Sequence, residues 1–274
     1  MTNILSEVHS KEYHMKKSEY NFCIFAPLKN INMTTKAEAF NEIVNERRSV
    51  RNYDENHSYD KSIVERSLQR AILSPNSSNM QLWEFYRVIS EEKKTKVAHF
   101  CLDQIPAKTA HELVVFVARP DKYKQSIKFN LDLINSDDSF EKESRRKKRR
   151  DYYKNKMPLF YTFDFLFVLS TIKKLFVTLV GLTKPTVHEV TSINKKVTIH
   201  KSIALAAQTF MLSVKAEGYD TCPLEGFDSK RIKKLLDLPR KAEINMVIAA
   251  GKGADDGVWY PRKRYGYNEV VKEL

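Results

Sequence analysis

Cysteine is scarce in this chain. Three residues, Cys23, Cys101 and Cys222, are too few and too scattered for a disulfide framework or a zinc site, so the reading is of a reducing, cytoplasmic protein with no metal. Cys222 has no base that sequence can assign to it, and a packed, inert thiol is the expected state. Glycine is scarce too, at seven residues. No Gly-rich phosphate loop with a following Lys-Ser/Thr occurs, and neither does HExxH nor GxSxG, which removes the usual signatures of P-loop nucleotide binding, zinc proteolysis and serine hydrolysis. One cluster, Gly251-Lys-Gly253-Ala-Asp-Asp256, imitates a dinucleotide fingerprint. Asp256 puts a negative charge where a pyrophosphate would sit, and the residues after it do not open a helix, so the match is rejected. The seven histidines are dispersed. The first twenty residues lack the apolar run of a signal peptide. Negative charge is in short supply: 34 acidic residues face 47 basic ones, a formal net charge of +13. Such an excess favours an anionic partner, whether nucleotide, nucleic acid or anionic membrane, without choosing among them.

What is present suffices for a core. The apolar fraction of 42% argues against global disorder, and 274 residues make one large domain or two small ones. Residues 1–33 read as a polar extension with a short apolar patch from Phe22 to Leu28, and Met33 is an alternative start. The main domain is expected over 34–274. Thr35-Lys-Ala-Glu38 is a capping-box pattern, opening a helix with Ala39, Phe40, Ile43 and Val44 on one face. That helix runs into Arg47-Arg48-Ser49-Val50-Arg51-Asn52-Tyr53-Asp54. Three arginines at a helix end suit a phosphate and a polar ring edge; they equally suit a solvated basic helix end.

Asp60 is read as the cap of a second helix, with Val64, Leu68, Ala71 and Ile72 inward, stopping at Ser74-Pro75. The polar loop Asn76-Ser-Ser-Asn79-Met80-Gln81-Leu82-Trp83 leads into a strand, Glu84 to Ile89. It can present amides and hydroxyls to a heterocycle or bond its own backbone. A short helix follows over Glu91–Phe100, then a buried strand over Leu113–Ala118. His200–Glu217 reads as a helix with Ile203, Ala207, Phe210, Met211 and Val214 on one face, ended by Gly218. The stretch GYDTCPLEGFD, Gly218 to Asp228, taken alone is a turn between helices; its Glu225-Gly226 pair could turn backbone N–H groups toward a ligand, since glycine permits close approach and positive φ. Asp228 starts another helix, carrying Ile232, Leu235 and Leu236. Ile244–Ala250 is a strand, and Pro261-Arg262-Lys263-Arg264 lies near the end.

Between these parts, 120–195 is distinctive. Arg145 to Arg150 are six consecutive cations with no interleaved aromatics and no nucleic-acid signature, so a solvated face or attraction to anionic lipid is expected. Leu159–Leu182 is the most apolar stretch, but Lys173 and Lys174 near its centre would each cost about 2.5–3.5 kcal/mol in a span. An amphipathic segment is expected, covering the protein's own pocket or dimer surface or lying on a membrane.

Four stretches in order, RRSVRNYD, SPNSSNMQLW, GYDTCPLEGFD and PRKR, resemble the FMN-dependent nitroreductase family over about 35–118 and 200–270. The resemblance implies an α+β fold of three layers, α-β-α, around a mixed or antiparallel sheet, with 120–195 as an inserted helical segment. It implies a homodimer with FMN at the subunit interface, NAD(P)H as co-substrate, and a nitroaromatic, quinone or similar small-molecule acceptor reached by a ping-pong cycle. Position by position, Arg47 and Ser49 match contacts to the flavin's polar side and phosphate. Arg48 adds a phosphate contact, and Arg51 matches a basic residue near N1 and O2. Asn79 matches a loop amide beside the ring. Pro223 and Leu224 lead to Glu225 and Gly226, whose backbone approaches N5. Arg262 and Arg264 match phosphate-holding residues of the tail. Leu82 replaces a proline usual before the tryptophan, and the insertion falls where the family builds its substrate lid. No side-chain acid or base is implied, and no nucleic acid is expected. Peripheral membrane contact through 145–182 is compatible with this reading. The competing class is a basic membrane-surface or nucleic-acid binding protein without redox activity.

Overall fold

The computed structural model describes residues 35–136, 142–161 and 168–274; the expected extension over 1–33 lies outside the described residues. In chain order the elements are α1 (Lys36–Glu46), α2 (Ser62–Ala71), β1 (Trp83–Val88), α3 (Glu91–Phe100), α4 (Ile105–Thr109), β2 (Glu112–Ala118), α5 (Tyr123–Ser136), α6 (Glu143–Asp151), α7 (Met157–Tyr161), α8 (Val168–Gly181), α9 (Ser192–Ala216), β3 (Asp220–Leu224), α10 (Ser229–Leu235), β4 (Glu243–Gly251) and α11 (Tyr267–Val270). A wider, π-type turn over Tyr152–Lys156 joins α6 to α7.

Among the described residues the strands form one sheet in the order β1-β2-β4-β3, every neighbouring pair antiparallel. β2 is buried along its whole length, because both faces are covered and period-2 alternation sends its side chains into two cores. Val114, Phe116 and Ala118 join α2, α9 and the loop at Met80–Trp83 on one face. Leu113, Val115 and Val117 join α3 and Ile232 of α10 on the other. This is the expected three-layer arrangement. α9 is the spine of the first layer, presenting Ile199, Ile203, Ala206, Ala207, Phe210 and Val214 at helical spacing.

Several elements differ from the sequence reading. The GYDTCPLEGFD stretch contains β3 rather than only a turn. Thr221, Cys222 and Leu224 are buried, and Pro223 is tolerated because β3 is the sheet's edge strand. α9 begins at Ser192, eight residues before His200, behind a capping box of Thr191 and Asn194. The apolar face of α1 is only partly covered among the described residues: Ala39 and Ile43 are half-buried, but Phe40 is 56% exposed. Ile72, expected inward after α2, is likewise exposed.

The segment 120–195, expected to be an inserted helical segment, is helical where it is described. Its α5, the turn at Tyr152–Lys156 and α7 pack against the first core through Ile127, Ile134, Tyr153 and Met157. Among the described residues no helix is long and apolar enough to cross a membrane. α8 is amphipathic, with Ile172, Leu175, Phe176 and Leu179 exposed along one face. It is pinned to the body near its start, where Ser170 Oγ accepts from the Ser192 amide at 3.2 Å, and at Lys173, whose Nζ donates to the Leu159 carbonyl at 2.6 Å.

Candidate functional site

The arginine stretch after α1 is held against the sheet by two buried residues. Val50 and Tyr53 are buried, and the Tyr53 hydroxyl donates to the Ala249 carbonyl of β4 at 3.1 Å. Single bridges join Ser49 to Thr221 and Tyr53 to Gly253, and the Val50 amide donates to the Thr221 carbonyl at 3.1 Å. With the apolar residues inward, Arg47, Arg48, Ser49 and Arg51 line an open cavity of about 460 Å³. Its other wall is the tail after β4: Trp259, Pro261, Arg262, Lys263 and Arg264. The two walls are stitched together. Arg48 donates to the Tyr260 carbonyl and Arg262 to those of Val44 and Arg47. The Arg51 amide donates to the Gly257 carbonyl at 2.7 Å, and its guanidinium lies 6.0 Å from the Trp259 ring centre.

The tail's glycines serve this packing and not a phosphate cradle. A Cβ at Gly257 would stand 2.6 Å from the Asn52 carbonyl oxygen, and one at Gly253 would stand 2.9 Å from a carboxylate oxygen of Asp220. Asp256, the charge that spoiled the dinucleotide match, accepts from Asn52 at 2.8 Å.

The electrostatics of the cavity are one-sided. Among the described residues, no carboxylate forms an ion pair with Arg47, Arg48, Arg51, Arg262, Lys263 or Arg264. Partial burial holds the Arg47 guanidinium below its ordinary value, and the positive charges of Arg262, Arg264 and Arg48 add to the effect. Like charges gathered without a counter-charge repel one another. A bidentate anion such as a phosphate would relieve that repulsion. The cavity's size lies within the range of about 300–1,000 Å³ common for cofactor-sized ligands.

Glu225 and Gly226 follow the last paired residue of β3 and are exposed. Gly226 does not use positive φ; among the described glycines only Gly218 does, at 82°, where it ends α9. Gly226 is fixed instead by Gln104, whose Nε2 donates to its carbonyl and to that of Cys101, both at 2.8 Å. Glu225 lines a second, largely apolar cavity of about 420 Å³ with Val197, His200 and Ala204 of α9 and Met246 of β4. Cys222 is buried and its thiol is pushed up by burial, as expected of an inert residue.

The loop before β1 carries local strain. Ser78, Asn79 and Gln81 have φ of 53°, 48° and 47°, a left-handed region that costs a non-glycine residue about 1–2 kcal/mol. Asn79 is turned toward the insertion: its Nδ2 donates to Asn130 Oδ1 at 2.8 Å.

Of the residues singled out from sequence, the chain therefore brings together Arg47, Arg48, Ser49, Arg51, Arg262 and Arg264. Pro223 and Leu224 build the edge strand beside them, with Leu224 in the core. Asn79 and Glu225 lie outside that cavity's lining. Sequence reasoning missed Gln104, Trp259 and Lys263. Trp259 stands two residues before PRKR, and an aromatic so close to a basic run was an available signal. Gln104 carried none, since its role depends on the approach of β3.

Residues 44–252 match the Nitroreductase family, so the chain belongs to it. Among curated proteins, it is 23% identical to MhqN of Bacillus subtilis, named as an NAD(P)H nitroreductase, over 86% of this chain and 97% of that one. It is 26% identical to YdgI of the same organism, named likewise, over 81% and 92%. Among solved structures, a nitroreductase-type protein of Exiguobacterium sibiricum in complex with FMN superposes with a TM-score of 0.62 at 24% identity, covering 86% of this chain and 97% of that one. A protein of Staphylococcus epidermidis described as an NAD(P)H:FMN oxidoreductase gives 0.63 at 24% identity, covering 90% and 98%. At these identities the structural likenesses establish the fold.

Proposed function

We propose that this chain is an FMN-dependent oxidoreductase that passes reducing equivalents from NAD(P)H to a nitroaromatic, quinone or similar acceptor. The observation that carries the reading is the cavity walled by Arg47, Arg48, Arg51, Arg262, Lys263 and Arg264, which among the described residues lacks a counter-charge. Bound FMN would supply the redox chemistry, taking up and giving up a hydride at its N5. The chain's own part is binding and electrostatics. Arg262, Arg264 and Arg48 suit the phosphate, while Arg47 and Ser49 suit the phosphate and the flavin's polar side. Arg51 suits the N1–O2 edge, where a fixed cation in a partly desolvated site favours the reduced cofactor's charge. Glu225 and Gly226, braced by Gln104, would offer backbone to the N5 edge. Within this reading 34–274 is one flavin-binding domain and 120–195 its insertion.

A homodimer follows from the same reading. Asn79 and Glu225 do not line the arginine cavity of their own chain, and among the described residues Phe40 and Val44 on the apolar side of α1 are exposed. A second copy bringing its Asn76–Trp83 loop to the cavity would complete the site. Family membership weighs against a purely binding function, yet peripheral membrane contact is compatible with it. The exposed stripe of α8 and the cations of α6 suit an anionic lipid surface.

The test is the visible spectrum of purified protein with the released chromophore identified. Flavin absorbance, FMN on release and NAD(P)H oxidation with a nitro compound or quinone are expected. A colourless protein that takes up no added FMN would overturn the reading. Arg262→Ala/Arg264→Ala is expected to weaken FMN binding at least tenfold, since a charge-assisted hydrogen bond contributes about 1.5–3 kcal/mol; full flavin occupancy in that variant would remove the phosphate assignment.

A further inference from the structure

The loop between α2 and β1 is held from two sides. Its base is fixed within the core domain: the Ser77 amide donates to Ser202 Oγ of α9 at 3.2 Å, and the Gln81 amide donates to Asn76 Oδ1 at 2.9 Å. Its crest, where Ser78 and Asn79 take the left-handed region, is held by the insertion. The Tyr153 hydroxyl donates to the Ser78 carbonyl at 2.8 Å, and the Tyr152 hydroxyl and Ser78 Oγ share a hydrogen bond of 2.6 Å. Asn130 of α5 accepts from Asn79 Nδ2 at 2.8 Å and donates to the Asn79 carbonyl at 3.0 Å. Asn130 is 4% exposed, and its remaining N–H donates to the Ser126 carbonyl of its own helix at 2.8 Å. A buried amide with its groups all engaged has a single orientation, because any rotation would leave buried polar atoms unpaired.

Serine does not choose the left-handed region on its own. Strained backbone persists where its surroundings over-determine it, and here four of the determining bonds come from 130–153. The two tyrosines are adjacent in sequence and both reach Ser78. The wider, π-type turn that starts at Tyr152 sets them there, a feature often found at functional sites.

We infer that the insertion is a positioning device for the loop that faces the flavin, with Asn130, Tyr152 and Tyr153 as positioning residues acting through Ser78 and Asn79. This rests on the proposed FMN reading. It gives the insertion a part in cofactor binding in addition to any cover over the substrate: removing its hydroxyls loosens the loop without touching the arginine cavity.

The test uses the full-length protein and the variant Tyr152→Phe/Tyr153→Phe, which keeps both rings in place and removes both hydroxyls. Amide hydrogen exchange of segments covering 77–82 is expected to quicken about tenfold while β2 and α9 stay unchanged. The FMN dissociation constant, read from the fluorescence of free FMN, is expected to rise about tenfold. Adding Ser78→Gly, which permits positive φ without steric cost, is expected to recover most of that affinity and the visible circular dichroism of bound FMN. Unchanged loop exchange in the double variant overturns the clamp. Faster exchange with unaltered FMN affinity overturns its positioning role, as does a loss that glycine fails to rescue. A wild-type protein that binds no FMN overturns the function reading and this role together, whereas FMN-replete wild-type and variant proteins with the same loop exchange overturn the clamp alone.

Discussion

Single residues carry measurable consequences beyond the cavity. Glu217, at the end of α9, receives Arg66 at 2.8 Å and Arg70 at 2.5 Å. The Arg66 hydrogen bond is the main reason its carboxyl lies below the ordinary value of 4.5, with Arg70 adding to it. A carboxyl depressed on folding stabilises the fold above its unfolded pKa, and that stabilisation is lost as pH falls through the folded value. Stability is therefore expected to decline as pH drops below about 4.5, and Glu217→Gln should flatten that decline at a cost of about 1 kcal/mol near neutrality, both guanidinia being partly solvated. Chemical denaturation of the two proteins at pH 7 and pH 4 checks it; parallel curves would refute it. Gly257 makes a sharper case. Any side chain there meets the Asn52 and Ala254 carbonyls, at 2.6 and 2.9 Å from the added Cβ, so Gly257→Ala must shift the tail that supports Arg51. A loss of FMN affinity exceeding the loss of thermal stability is expected, measured side by side.

Elements differed in how readily the sequence announced them. α1, α3, β1, β2 and β4 were legible because caps and periodicity agreed: Thr35 with Glu38 closes a capping box, and Ser90 caps α3. β3 was hidden, since Pro223 and two flanking glycines read as a turn, and only pairing with β4 makes five residues a strand. The first eight residues of α9 were hidden because two of the three aliphatics in Ser192–Ile199, Ile193 and Val197, are exposed among polar neighbours, and the helix there is sustained by the cap and the burial of Ile199. The arginine half of the site was legible as two basic runs, but their meeting required the fold. The bracing of the Asn76–Trp83 loop from Tyr152 and Tyr153 was not legible, because no local pattern couples residues 75 positions apart. α8 gives a test at this scale. Leu175→Glu/Leu179→Glu lies on its exposed stripe, so the melting temperature should hardly move, surface changes usually falling within about 0.5 kcal/mol. Co-sedimentation with anionic liposomes should fall if the stripe meets lipid, and unchanged co-sedimentation would remove the membrane contact.

At the scale of the whole molecule, the positive charge is distributed unevenly in purpose. α6 presents a cationic face to solvent, whereas the arginines of the cavity converge on one volume. The proposed dimer predicts a particle of twice 32.0 kDa by light scattering, with two FMN per particle. A monomer that retains FMN fully would refute the shared site.

The separation of Arg262 from its acceptor at Arg47, 215 positions along the chain, has a consequence for quality control. A chain cut before Arg262 would retain every residue of both buried cores and could pass for a finished protein by any test of compactness, yet one wall of the cavity would be missing. Cofactor retention is then a report on completeness, distinct from folding. It also makes FMN supply a determinant of lifetime, because a ligand at a hundred times its dissociation constant adds about 2.7 kcal/mol to the native state alone, and truncated copies would forgo that protection against proteolysis.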